Sequence, residues 1–258
     1  MTYQTAILFG LDFPVALYIF VFCGSVCSYN FHWYLTPPDV PNASGKLKWN
    51  LTNKNLHLTL FIVGLLGAAV TALLLIEHWL WFSFTAFFTF LYSAPMINHP
   101  LTVWLRRIAV GKTIFLSLAW MHVTALLPLL IEADTITMAH VVYVLNRFFF
   151  IYAICIVFDR RDVENDRRAG IKSLITYLNA KGVDRLFWAS LILVFITAGF
   201  MIKWLSLPDV LILTLPAVIM GLLYEHSKRN TSDYLYYFLL DGLMALSAPI
   251  LILAKFAR

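Results

Sequence analysis

Long apolar runs separated by short polar stretches dominate the pattern of this chain. A helix crossing the hydrocarbon of a bilayer needs about 20 mostly apolar residues. Eight runs approach or exceed that length, at 7–29, 56–76, 78–97, 110–131, 137–158, 186–203, 207–225 and 233–254. Prolines fall at their ends or inside them, which helical bundles in membranes tolerate. The longest polar stretches are 30–55 and 159–185, and neither reads as a separate soluble domain. The pattern predicts an all-α, polytopic membrane bundle of about eight transmembrane helices, with 1–258 as a single integral membrane domain.

Composition agrees. Hydrophobic residues make up 61% of the 258 positions and charged residues 13%, about half the charged share usual in soluble domains. Basic residues concentrate in four alternate loops. These carry Lys46, Lys48 and Lys54; Arg106, Arg107 and Lys112; Arg160, Arg161, Arg167, Arg168, Lys172, Lys181 and Arg185; and Lys228 and Arg229. Arg147, Lys203, Lys255 and Arg258 are the only basic residues elsewhere. The positive-inside rule then places those loops in the cytoplasm and both termini outside. The expectation is a multi-pass protein of the bacterial inner membrane, its active face cytoplasmic. Topology explains the basic excess, so no nucleic-acid partner is expected. Cys23, Cys27 and Cys155 lie inside apolar runs at a spacing that suits neither a disulfide framework nor a zinc site.

The densest charge comes directly after the fifth run, in "VFDRRDVENDRRAGIKSL" at 157–174. If the helix continues past 158, Asp159, Asp162 and Asp166 stand at i, i+3 and i+7, within about 60° of one another at 3.6 residues per turn. Arg160 and Arg161 are expected to point elsewhere. Three carboxylates on one stripe repel one another unless something neutralises them. A magnesium ion does so with one or two carboxylates, water and substrate phosphates. Spacing alone leaves a second reading open, a solvated helix end whose aspartates pair with neighbouring arginines.

"DRRDVENDRRAGIKSL" resembles the second aspartate-rich motif of the UbiA superfamily of intramembrane prenyltransferases. "FLYSAP" at 90–95, "LRRIAVGKT" at 105–113 and "YYFLLDGLMAL" at 236–246 resemble other stretches of that family, in the same order. The resemblance implies a helical bundle, commonly of nine spans, around a cavity open to lipid; a ninth span here would precede residue 7. It implies transfer of a prenyl group from a prenyl diphosphate to a hydrophobic, aromatic or lipid acceptor with Mg2+. By the motif, Asp162 and Asp166 would be the catalytic, metal-binding pair and Asp159 an accessory metal ligand. Lys172, Arg106, Arg107, Lys112 and Asn30 would be diphosphate-binding candidates. Membrane lipids, the prenyl diphosphate and the acceptor are the expected partners.

The family's first motif, NDxxDxxxD, meets "YNFHWYLTPPD" at 29–39. Asn30 keeps the leading position, but Phe31, Tyr34 and Pro38 stand where the three aspartates would be. Neither Phe nor Tyr replaces a carboxylate ligand, and the imidazole of His32 suits a hard cation poorly. A non-catalytic UbiA-fold membrane protein that binds a prenyl lipid or a protein partner is therefore the rival reading.

Two ionisable residues fall well inside spans, where charge is costly and marks function by default. Arg147 precedes Asp159 by 12 residues, about 18 Å along a helix. Asp241 lies about 12 Å beyond Asp233 by the same rise. Both are expected to face the bundle interior and to pair directly or through water.

Overall fold

The computed structural model describes residues 1–36, 45–93, 97, 111–168 and 173–256, with the backbone alone for 46, 47, 111, 112 and 165. Among the described residues there are helices and turns and no strand. The helices are α1 (Thr2–Phe9), α2 (Val15–Leu35), α3 (Gly45–Thr52), α4 (Lys54–Leu74), α5 (Trp79–Ser93), α6 (Gly111–Met121) and α7 (Leu127–Glu132). They continue as α8 (Met138–Arg168), α9 (Leu174–Tyr177), α10 (Ala180–Met201), α11 (Leu207–Ser227) and α12 (Asp241–Phe256). Two wide π turns interrupt regular winding: His122–Leu126 joins α6 to α7, and Tyr234–Leu240 leads into α12.

Seven of the resulting helices are long and apolar enough to cross a membrane. The third expected span, 78–97, appears as the 15-residue α5, and residues 94–96 of that span lie outside the described residues. The first expected span, 7–29, is corrected. Gly10 closes α1 with a left-handed φ of 64°, a conformation glycine adopts without a Cβ clash. Pro14, with no backbone N–H to give, then caps the start of α2. The crossing helix is therefore Val15–Leu35, and α1 packs separately against α12 and α7.

Each crossing helix packs chiefly on its neighbours in sequence: α2 on α4, α5 on α6, α6 on α8, α8 on α10, α10 on α11 and α11 on α12. Short connections make such neighbours antiparallel. The α2–α4 seam is the tightest. A Cβ on Gly64 would stand 2.7 Å from the Cys27 nitrogen and 2.8 Å from the Cys23 oxygen, so only glycine lets the two backbones meet. Across the same seam Asn30 Oδ1 meets His57 Nδ1 at 2.8 Å.

α8 is the central element. At 31 residues it runs about 46 Å, longer than the hydrocarbon is thick. Every side chain from Phe150 to Val157 is buried. The large apolar side chains left exposed, such as Leu66, Val70, Ile192, Phe195, Leu211 and Leu222, lie on outer faces of α4, α10 and α11. A bundle that turns polar groups inward and leaves apolar ones outside is built for lipid.

Arg147 faces the interior as expected, with side-chain exposure near zero. Among the described residues no direct ion pair joins Arg147 to Asp241. Arg147 Nε and Nη2 donate instead to Asn146 Oδ1 at 3.2 and 2.5 Å, and Nη2 also approaches the Leu213 carbonyl at 3.4 Å. The guanidinium lies 5.8 Å from the Tyr143 ring centroid and 5.2 Å from that of Phe150. Asn146 Nδ2 donates in turn to the Val194 carbonyl and to Thr197 Oγ1, at 2.8 and 3.0 Å. Asn146 thus ties α8 to α10 and is the main acceptor for a buried cation, while Arg147 Nη1 has no hydrogen-bond partner among the described residues.

These seams yield two predictions. Gly64→Val forces α2 and α4 apart and costs about 1–3 kcal/mol, the usual penalty for overpacking. Gly199→Ala, where a Cβ meets nothing within 4 Å, leaves the unfolding temperature in detergent unchanged or slightly higher. Asn146→Leu strands the Arg147 guanidinium and lowers stability by at least about 1–3 kcal/mol. Arg147→Met, which removes the buried charge, unfolds at or above the wild-type temperature. Thermal unfolding of all four purified variants in one detergent checks both.

Candidate active site

The fifth predicted helix does continue past 158, as far as Arg168. Arg167 and Arg168 sit in its last turn, where cations complement the negative end of the helix dipole. Ile154, Cys155, Phe158, Asp159, Arg161 and Asp162 form one stripe of α8 and line a cavity of about 700 Å3, within the usual range for ligand sites. Arg161 therefore shares the cavity with the carboxylates, against the expectation that it points elsewhere.

The stripe is braced. Thr113 of α6 donates its hydroxyl to Asp159 Oδ2. Arg161 Nε donates to Asp162 Oδ1 at 2.9 Å, and Nη2 donates to Asp162 Oδ2 at 3.3 Å and to the Tyr237 hydroxyl at 2.8 Å. Three rings enclose the same guanidinium, with centroids at 5.3 Å (Phe158), 4.4 Å (Tyr236) and 4.7 Å (Tyr237). The π turn ahead of α12 brings the consecutive tyrosines 236 and 237 onto one guanidinium, a use of irregular winding common at functional sites.

Arg160, one residue earlier, leaves in another direction. Its Nη1 meets Asp184 Oδ1 at 2.6 Å and the Tyr224 hydroxyl at 3.0 Å. Lys228 joins the same carboxylate at 3.1 Å, and Tyr224 stacks on Phe187 with ring centroids 3.7 Å apart. This cluster fastens α8, α10 and α11 and contributes no side chain to the cavity wall.

The remaining walls are largely aromatic and apolar. α2 supplies Phe20, Tyr29, Phe31 and His32, α5 supplies Phe82, Phe90 and Tyr92, and Trp120 comes from α6. His32 stacks on Tyr92 and Phe31 on Phe61, each with ring centroids 4.9 Å apart. α2 brings no carboxylate to the cavity among the described residues. Asn30, expected at the diphosphate, is engaged elsewhere in this structure. Its amide donates to the Val26 carbonyl at 2.7 Å while its oxygen meets His57, and it lies off the cavity wall. Asp241 sits on the wall about one helical turn beyond Tyr237. Asp166 is buried but is not among the lining residues. Lys172, Arg106 and Arg107 lie outside the described residues, as does the side chain of Lys112.

Among the described residues no three His, Cys, Asp or Glu side chains gather into a group able to hold a metal on their own. The donor set suits one hard cation bound from one side. Asp159 and Asp162 share the cavity wall, and each Asp162 oxygen accepts from Arg161 and has a second lone pair. Magnesium takes one or two carboxylates and completes its shell with water and phosphate oxygens.

A bundle built for lipid, enclosing an aromatic cavity with carboxylates and a guanidinium on one wall, defines a multi-pass membrane protein with an internal site for an amphiphilic ligand. The model of the UbiA prenyltransferase family matches residues 38–239, and the chain belongs to that family. No curated protein and no solved structure matches it. Membership gives a prenyltransferase-type function in broad terms, with a prenyl diphosphate and a hydrophobic acceptor as the substrate classes. Members generally use Mg2+ through aspartate-rich motifs.

Proposed function

We propose that the protein transfers a prenyl group from its diphosphate to a hydrophobic acceptor, on the side of the membrane where the basic loops lie, the cytoplasm. The observation that carries this reading is the placement of Asp159, Asp162 and Arg161 on one wall of a cavity otherwise lined by aromatic and aliphatic side chains. The diphosphate belongs at that wall and the prenyl chain among Phe31, Phe61, Phe82 and Phe90. Asp159 and Asp162 would hold one magnesium ion, with Asp166 in support. Bound there, the ion supplies positive charge to the departing diphosphate.

The chain's own residues do the rest. Ionisation breaks the bond between the prenyl carbon and the diphosphate oxygen, and the electron pair leaves with the diphosphate. Fixed charge in a water-poor site stabilises that oxygen far better than bulk water does. The prenyl cation left behind is drawn to the rings of Trp120 and Tyr29, since those of Phe158 and Tyr237 already meet Arg161. The apolar walls exclude water, so the acceptor is the nucleophile that remains.

A second reading has its own support. Phe31 and His32 are stacked in ring pairs on the α2 wall, an arrangement that suits holding a prenyl lipid without turning it over. One assay separates the two. Purified protein is incubated with radiolabelled geranylgeranyl diphosphate, Mg2+ and a membrane lipid extract, and label transfer and diphosphate release are measured. Transfer is expected, and Asp159→Ala and Asp162→Ala reduce it by a factor of about 100 or more, as loss of a charge-stabilising group typically does. Equal turnover in all three proteins rejects the assignment of the aspartates. Tight binding with no release in the wild type selects the lipid-binding reading.

A further inference from the structure

Arg161 belongs to neither structural cluster by chemistry alone. A guanidinium has five N–H donors. Three of them are used, one from Nε to Asp162 and two from Nη2 to Asp162 and Tyr237. Nη1 makes no hydrogen bond within the protein among the described residues. Its side chain is 11% exposed and lines the cavity. The three rings around it fix its plane, and the Asp162 brace fixes its height on α8. A purely structural arginine on a cavity wall has no need to leave two donors unused. Arg160, its neighbour, gives Nη1 to Asp184 and Tyr224 and stays off the cavity wall.

Charge supplies the second argument. Three carboxylates, Asp159, Asp162 and Asp241, line the cavity, and an anionic headgroup approaching them is repelled. One divalent cation would leave that set one charge short of neutrality. The guanidinium supplies the missing charge, and its fork matches phosphate oxygens in a way a point charge does not. Among the described residues the facing α2 wall offers rings in place of charge, and Arg161 brings a cation to the opposite one.

We propose that Arg161 is a diphosphate-binding residue, preorganised by Asp162, Tyr237 and the ring cage to present Nη1 to the phosphate oxygens of the prenyl substrate. Asp162 then has two tasks, holding the ion and orienting the arginine. The proposal rests on the reading of the cavity as a prenyl-diphosphate site, and the test separates the two.

The probes are farnesyl thiodiphosphate, which ionises poorly, and farnesol, which has the same tail and no diphosphate. Dissociation constants are measured by calorimetry on the full chain in detergent, once with Mg2+ and once with EDTA. In the wild type the thiodiphosphate binds more tightly than farnesol. Arg161→Gln weakens the thiodiphosphate about 10-fold or more, the usual range for a hydrogen bond to a charged group, in both buffers, and leaves farnesol unchanged. Arg161→Lys, which keeps the charge and loses the fork, falls between. Arg160→Gln matches the wild type. If Arg161→Gln no longer holds farnesol, the comparison of Arg161→Lys with Tyr237→Phe decides: both weaken the thiodiphosphate alone if Arg161 meets the headgroup. Wild-type affinity for the thiodiphosphate in a folded Arg161→Gln or Arg161→Lys overturns the proposal. A wild type that does not distinguish the two probes overturns the reading of the cavity instead.

Discussion

A polar group inside a membrane has to find its partners within the protein, because hydrocarbon offers none. α8 is where that constraint is concentrated. It carries Arg147 and Asn146 in its middle, and Asp159, Arg160, Arg161, Asp162 and Asp166 toward its end. Each of the charged groups whose contacts are described is met by a different neighbour: Asn146 for Arg147, Thr113 for Asp159, the Asp184 cluster for Arg160, and Asp162 with Tyr237 for Arg161. The order of helices around α8 is in this sense a consequence of its polar residues. α6, α10, α11 and α12 all reach it through a hydrogen bond, a ring or both. α2 and α4 carry less polar cargo, and they meet each other through Gly64 and through the Asn30–His57 bond.

The adjacent arginines show how one helix serves packing and chemistry together. Successive helical residues diverge by about 100°, so Arg160 and Arg161 cannot share a neighbour. The first is consumed by a carboxylate, a tyrosine and a second cation beside it. The second is held just as firmly, but by groups that leave one edge open. Arg147 is a third case, a cation between rings and an amide with no carboxylate near it among the described residues. Replacement by a well-packed apolar side chain is often neutral or favourable for such a buried charge. Its place in the bundle therefore reflects a need for a fixed orientation between α8 and α11, through the Leu213 carbonyl, more than a gain in stability.

Hydropathy made most of the bundle legible, because a crossing helix must be apolar over a fixed length. The charged stripe after 158 was legible too, since the i, i+3, i+7 spacing is a property of the helix alone. Sequence periodicity could not supply the identity of the neighbours. Arg147 is buried and Asp241 lines the cavity, and which face of which helix each takes depends on packing between elements far apart in the chain. Asn30 reads as a motif residue, but its amide is already committed to Val26 and His57. The break at Gly10 and Pro14 was visible as residue types and was hidden by the apolar run on either side. Arg161 was hidden too, because the carboxylate spacing divides the helix into an acidic face and a remainder. Residues at 158, 159, 161 and 162 in fact form one continuous surface, and the structure shows that surface to be the cavity wall.

The two sides of that cavity are unlike. Charge stands on α8 and α12, while α2, α4 and α5 contribute rings and small aliphatic side chains. Such asymmetry has a mechanical consequence for an amphiphile. Among the described residues the charges stand at one wall, so in the proposed reading the headgroup would set the direction of the tail, toward the ring pairs Phe31–Phe61 and Phe20–Phe82. A symmetric arrangement of carboxylates would grip the headgroup from both sides and leave the tail's path to the walls. Here the path is fixed by the headgroup itself. The orientation of the ligand depends on how rigidly the α8 charges are held, and that rigidity comes from Thr113, Tyr236 and Tyr237, none of which carries a formal charge.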